Sequence, residues 1–175
     1  FNADPTVGGR YSALTAFGLV PTGLAGSDIS TLLANASMAR SELASDSIDN
    51  PALWLAAALA ATPGSTDVKD KFLIETDLLP GFGDWVEQLV AESTGKLPKG
   101  TLPVVVTKSA PEISDRPEDT LMVSFSDSDP SISDVTFSGQ LGELFLLWEY
   151  ATAIAGQILG INPFDQPDVE SAKIA

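Results

Sequence analysis

The sequence predicts an α/β fold, a mainly parallel sheet sandwiched by helices in three layers, and three observations carry that expectation. Short runs rich in Val, Ile, Leu, Phe and Thr recur between residues 71 and 138, as strands bounded by turn residues do. A helical stripe lies between the first two runs, which makes a βαβ unit and hence a parallel pair. Parallel strands are buried on both faces, so helices are expected to cover both sides of the sheet.

Residues 1–62 read as a helical lead-in. Tyr11–Ala25 has helical character that Pro21 should kink or end, because proline brings no N–H to the helix ladder. In Ser27–Ala44 the apolar residues Ile29, Leu32, Leu33, Ala36 and Leu43 recur at helical spacing, with Ser27 or Asp28 as N-cap. Asn50-Pro51 is an N-cap followed by proline at the first helical position. The stripe of that helix is expected at Leu53, Trp54, Ala57 and Ala61, ending before Pro63-Gly64.

Residues 70–138 form the sheet region, with strands at Phe72–Thr76, Leu102–Thr107, Thr120–Ser126 and Asp134–Ser138. Between the first two, Gly83–Thr94 is a helix with Trp85, Val86, Leu89 and Val90 on its apolar side and Gly95 placed to end it. Lys108–Asp119 and Asp127–Asp134 are polar loops. The connection Asp127–Ser133 is too short for a parallel crossover, so one strand should be antiparallel or displaced to an edge. Residues 139–175 form the C-terminal helices. Leu141–Leu159 is apolar almost all round, with Leu144, Trp148, Ala151 and Ala155 on one face and Leu146, Leu147 and Ile154 on others. Glu143, Glu149 and Gln157 interrupt it, so it reads as a buried central or subunit-interface helix rather than the ~20 apolar residues of a membrane span. Asp165–Ala175 reads as a short terminal helix.

Composition narrows the chemistry. The chain has 175 residues, 9 Lys+Arg against 24 Asp+Glu, no His, no Cys and 44% hydrophobic residues. That is one domain at ~100–200 residues per domain. A net charge of −15 repels phosphate backbones and anionic lipid, so neither nucleic acid nor a membrane surface is an expected partner. Without imidazole or thiol, catalysis falls to carboxylates, Lys, Arg, Tyr or hydroxyls, and no zinc-finger spacing exists. The absence of cysteine fits a cytoplasmic protein without requiring one. The chain opens on Phe1, and Phe1–Gly9 has neither a basic n-region nor an apolar h-region; it reads as a portion of a longer protein.

Several sites are candidates on residue type alone. The acidic loop Asp127-Ser128-Asp129-Pro130 with Asp134 lacks the EF-hand spacing and reads as a solvated loop. Neither a GxGxxG nor a P-loop occurs, and there is no GxSxG elbow, so no nucleotide cofactor is expected. Glu92 lies seven residues after Trp85 and three after Leu89, at the C-terminal end of an apolar stripe. Burial there would raise its pKa towards that of a general base able to take a proton alpha to a carbonyl; a frayed helix end would instead let it reach water. In Gly8-Gly9-Arg10 the paired glycines would let a ligand approach the backbone, and Arg10 would stabilise negative charge developing on oxygen; an exposed turn is the plainer reading. Lys173 is by default a solvated lysine.

Three segments resemble the glucose-6-phosphate isomerase family. Val7-Gly8-Gly9-Arg10-Tyr11-Ser12 is similar to the family's GGR(Y/F)S signature, and Glu92-Ser93-Thr94-Gly95-Lys96 to its ESxGK motif. Ile161-Asn162-Pro163-Phe164-Asp165-Gln166-Pro167-Asp168-Val169-Glu170-Ser171-Ala172-Lys173 is similar to its IN(S/P)FDQxxVExxK ending. The likeness runs from Gly8 to Lys173 and is strongest to short bacterial forms, including the isomerase part of bifunctional transaldolase and isomerase proteins. The resemblance implies a sugar-isomerase (SIS) fold and interconversion of glucose 6-phosphate and fructose 6-phosphate through a cis-enediol(ate), without metal or nucleotide. It implies that Glu92 shuttles the proton between C1 and C2, that Arg10 stabilises the enediolate oxygen, and that Lys173 assists ring opening. Gly8, Gly9 and Gln166 would contact or orient the substrate.

Two departures accompany the resemblance. The family uses a histidine, supplied across a dimer interface, in ring opening, and this chain has none; it is also much shorter between Glu92 and the final motif. The loop that holds the sugar phosphate belongs to a preceding SIS domain. Residues 1–175 are therefore expected to be a C-terminal SIS portion that needs that N-terminal domain and forms a homo-oligomer. Two alternatives come from other classes: a phosphosugar-binding SIS module without turnover, and a flavodoxin-like electron carrier suggested by acidity and sheet topology.

Overall fold

Lys71–Glu75 (β1), Leu102–Val106 (β2), Thr120–Phe125 (β3) and Val135–Phe137 (β4) form one sheet in the order β2-β1-β3-β4, with every pair parallel. The computed structural model describes residues 1–60, 69–96, 99–125 and 131–165. Six α-helices accompany the sheet among the described residues: Ala16–Leu24 (α1), Ile29–Leu43 (α2), Pro51–Leu59 (α3), Phe82–Thr94 (α4), Pro111–Ser114 (α5) and Leu141–Leu159 (α6). The α/β class, the βαβ unit β1-α4-β2 and the four strand positions follow the sequence expectation.

Strand alternation sends Phe72, Ile74, Val123 and Phe137 to one face, where α3, α4 and α6 cover them. Trp148 of α6 stacks on Phe72 at 6.1 Å and meets Phe137 edge-on at 5.4 Å. Burying an indole of this kind removes about 150–250 Å² from water, worth roughly 4–6 kcal/mol at ~25 cal/mol per Å². Its Nε1–H finds no acceptor among the described residues, a cost of about 1–3 kcal/mol that the burial exceeds. On the other face, among the described residues, Leu73, Val106 and Met122 form a small cluster with Ala110 and Ile113, beside and within α5. Helices therefore cover the two faces unequally among the described residues, and Leu102 and Val104 of β2 stay 55% and 37% exposed.

Four expectations change. Tyr11–Ala25 is two pieces, a 3-10 turn at Gly9–Tyr11 and then α1, because Thr15 adopts an extended N-cap conformation whose side chain accepts from Phe17 N. Pro21 sits inside α1 and does not end it. The buried side of α3 is Ala52, Leu55, Ala56 and Leu59, while Trp54 is 64% exposed and Ala57 is also exposed. A helix this rich in Ala and Leu carries apolar residues on every side, so periodicity alone does not phase it. β4 does lie at an edge, but it is parallel to β3. It pairs only with Val123–Phe125, so the chain has to travel back about 7 Å, at ~3.3 Å per residue, rather than the length of a full strand. Asp134 starts the pairing, with its Oδ2 accepting from Met122 N at 2.8 Å and facing Arg116 Nη1 at 3.0 Å.

α6 ends at Gly160, whose φ of 67° favours glycine, and Lys99 Nζ donates to the Leu159 carbonyl. No described helix is long and apolar enough to cross a membrane. The predicted helix over 165–175 lies, from residue 166 onward, outside the described residues.

Candidate active site

α4 turns Val86, Leu89, Val90 and Ser93 inward at helical spacing, and Ser93 and Thr94 are fully buried. Thr94 Oγ1 donates to Val90 O and accepts from Thr101 N at 3.0 Å, which ties the end of α4 to the start of β2. Glu92 stands beside that stripe rather than on it. Its side chain is 42% exposed, so of the two readings its spacing left open the structure has the one in which it reaches water. What it has there is a fixed position: Gln88 Nε2 donates to Oε1 at 3.0 Å, and Arg10 Nε lies 3.6 Å from Oε2.

Arg10 is 3% exposed. Its Nη1 donates to Ser93 Oγ at 2.8 Å and to Pro163 O at 2.9 Å, and its Nη2 to Phe164 O at 3.2 Å and Asp165 O at 3.1 Å. A guanidinium presents five N–H donors in a fixed fork. Here four hydrogen bonds and the Glu92 ion pair engage both ends of that fork. Lys96 Nζ adds a second clasp, donating to Glu92 O at 3.3 Å and Asp165 O at 2.9 Å and pairing with Asp165 Oδ1 at 2.8 Å. A cation just past a helix C-terminus also suits the helix dipole. The Tyr11 and Phe164 rings stand 5.0 Å apart.

The structure thus brings Arg10, Glu92 and the segment Pro163–Asp165 together. Gly8 and Gly9 are exposed beside them, and a Cβ on Gly9 would meet nothing within 4 Å, so the fold itself does not demand glycine there. Gln166 and Lys173 lie outside the described residues, as do Asp127, Ser128, Asp129 and Pro130 of the acidic loop. Among the described residues no group of three or more Asp or Glu is placed to hold a metal ion. A groove of about 840 Å³ between α2, α3, β4 and α6 is lined by Met38, Trp54, Asp134, Phe137 and Leu147 among others, and not by Gly8, Gly9, Arg10 or Glu92.

Sequence reasoning did not single out Gln88, quoted Ser93, Lys96 and Asp165 only within motifs, and gave Glu149 no role in the site. Gln88 was findable from its i, i+4 spacing to Glu92. Glu149 was visible as a carboxylate on the most apolar helix; burial pushes it from 4.5 up to about 7. Burial above all pushes the Tyr11 phenol up; the Ser93 hydroxyl and Arg10 charge pull it down, and the Glu149 charge pushes it up.

No family model matches the chain. Over an alignment spanning 228 positions it is 30% identical to a glucose-6-phosphate isomerase of Heliobacterium modesticaldum, covering 99% of this chain and 51% of that protein. Identity to the glucose-6-phosphate isomerase of Streptococcus pyogenes serotype M5 is 28%, with the same coverage. A crystal structure of a glucose-6-phosphate isomerase from Chlamydia trachomatis superposes with a TM-score of 0.78 at 15% identity, over 99% of this chain and 47% of that one. A hypothetical protein from Thermus thermophilus superposes with a TM-score of 0.76 at 21% identity, over 96% and 54%. The backbone likeness places the chain in the sugar-isomerase fold. The chain spans about half the length of the curated relatives it matches.

Proposed function

We propose, from a chain related over 99% of its length to glucose-6-phosphate isomerases, that it contributes half of a site for aldose–ketose isomerisation of glucose 6-phosphate and fructose 6-phosphate. Glu92 takes the C2 proton of the open-chain aldose. The electron pair enters a C1–C2 double bond, and O1 becomes the enediolate oxygen. The proton of the O2 hydroxyl passes to O1, the electron pair left on O2 forms the C2 carbonyl, and the same carboxyl returns the abstracted proton to C1, giving the ketose. The observation that carries this reading is the Glu92 carboxylate, open to solvent yet held between Gln88 Nε2 and Arg10 Nε, as a base that must reach a substrate should be.

Arg10 supplies positive charge beside the enediolate. Gly8 and Gly9 leave the backbone open to the sugar, and Lys173 and Gln166 serve ring opening and orientation. No metal or cofactor takes part. Phosphate binding falls to an N-terminal SIS domain, and a homo-oligomer in the cytoplasm, working in glycolysis and gluconeogenesis, completes the reading.

The test is conversion of fructose 6-phosphate to glucose 6-phosphate by the natural protein carrying Glu92→Gln. Loss of a general base costs about 10²–10⁴-fold in rate, and near-wild-type turnover removes Glu92 from the proton path. A second reading, a phosphosugar-binding module without turnover, draws on the engagement of Arg10 by protein acceptors. Exchange of solvent deuterium into C2 of the bound sugar separates the two, since only proton transfer produces it.

A further inference from the structure

One buried carboxyl behind the site has no task in the reaction as described. On α6, Phe145, Glu149, Thr152 and Gly156 recur at i, i+4, i+7 and i+11 and so share a face. At one end of that face Phe145 packs edge-on to Trp85 of α4 at 4.6 Å. At the other, Gly156 approaches Pro163 so closely that a Cβ would stand 2.8 Å from Pro163 Cγ. Glu149 and Thr152 therefore look from between these contacts towards the end of α4 and the motif segments.

Three oxygens there, Tyr11 Oη, Glu149 Oε1 and Thr152 Oγ1, are buried and complete no hydrogen bond among the described residues. They are complementary. The Ser93 hydroxyl accepts from Arg10 Nη1 and keeps a proton to give; the Tyr11 oxygen accepts a proton and has one to give; a carboxylate only accepts. Beside the larger push of burial, the Ser93 hydroxyl pulls the Tyr11 phenol down and the Glu149 charge pushes it up. We propose that Glu149 is a positioning residue of this site: its carboxyl closes a relay through the Tyr11 and Ser93 hydroxyls to the Arg10 guanidinium, and its charge sets how firmly Arg10 is held beside Glu92. The proposal rests on the assignment of Arg10 and Glu92 to the site.

With Glu149 ionised, every donor in the relay points the same way, from Arg10 through Ser93 and Tyr11 to the carboxylate, and each bond polarises the next. Once protonated, the carboxyl becomes a donor. The phenol then turns its proton towards Ser93 Oγ and competes there with Arg10 Nη1. Charged or titratable groups on the elements packed against α6 are Arg40 and Glu42 of α2 and Asp84, Glu87 and Glu92 of α4, while α3 carries none; Arg10 and Tyr11 approach from the 3-10 turn. Tyr11 is the neighbour whose ionisation responds to Glu149. Because burial brings Glu149 to about 7, the relay reverses near neutral pH.

The experiment follows the glutamate side-chain carboxyls by ¹³C NMR, and kcat for fructose 6-phosphate against pH, in the natural protein and in Glu149→Gln and Tyr11→Phe. One carboxyl should titrate near neutrality, vanish in Glu149→Gln and titrate higher in Tyr11→Phe, which withdraws a donor from the carboxylate. kcat should rise about tenfold from pH 6 to pH 8 through that titration. Glu149→Gln, which keeps the acceptor oxygen and cannot ionise, should lose this limb with KM unchanged. A carboxyl titration indifferent to Tyr11→Phe, or a limb that survives Glu149→Gln, overturns the relay. Should the natural protein give no turnover, the isomerase reading falls, and the NMR titration in Tyr11→Phe still decides for or against the relay.

Discussion

Glu149 leaves a mark on stability as well as on the site. Burial moves it from 4.5 to about 7, so the folded chain holds this proton more tightly than the unfolded chain does. The stabilisation from the protonated acid is complete below about 4.5, falls as pH rises, and is gone above about 7. At ~1.4 kcal/mol per pH unit the whole effect is about 3 kcal/mol. Urea unfolding of Glu149→Gln, whose amide never ionises, should therefore show a gain of about 3 kcal/mol over the parent chain near pH 8 and none near pH 4.5. At the same scale the candidate site was half legible. Residue type and spacing singled out Arg10 and Glu92, but not whether Glu92 meets water, because that depends on what packs over the last turn of α4. The commitment of Arg10 to carbonyls of Pro163, Phe164 and Asp165 had no sequence signal, since backbone oxygens carry no residue identity.

Among elements, α2 and α6 approach closely at Gly142, where a Cβ would stand 2.0 Å from Leu32 O and 3.0 Å from Ala36 N. Backbone cannot yield as a flexible side chain can. Gly142→Ala should therefore push the two helices apart at a cost of about 1–3 kcal/mol, the range for overpacking, read as a lower urea midpoint with unchanged slope. The strands and α4 were legible because alternation and a 3.6-residue stripe survive in the sequence wherever one face is wet. They failed where that contrast was absent. α3 is Ala and Leu on every side, so its buried face is set by the Asn50 cap, whose Oδ1 accepts from Ala52 N at 2.9 Å and whose Nδ2 donates to Leu43 O at 2.9 Å. β4 was expected antiparallel or at an edge and lies at an edge; that so short a connection crosses over in parallel was not legible, because a crossover rule written for full-length strands does not bind a three-residue one.

Across the whole molecule, α4 runs back from the C-terminal end of β1, so Glu92 and Lys96 sit at the edge of the sheet where strands begin. Ligands of open α/β sheets commonly bind at the opposite edge. Coverage of about half of each curated relative accords with a site finished by groups this chain does not carry. The Arg10 clasp has one more consequence, in the order of folding. Arg10 and Pro163 are 153 residues apart in sequence, and closing so long a loop gains nothing until most of the chain is already in place. Those contacts should be absent from the folding transition state. Arg10→Ala, at a loss of about 3 kcal/mol for hydrogen bonds to a charged group, should leave the refolding rate unchanged and speed unfolding about a hundredfold in stopped-flow chevrons. A slowed refolding limb would place the clasp in the nucleus instead. The site is then the last part of the molecule to assemble and the first to come apart.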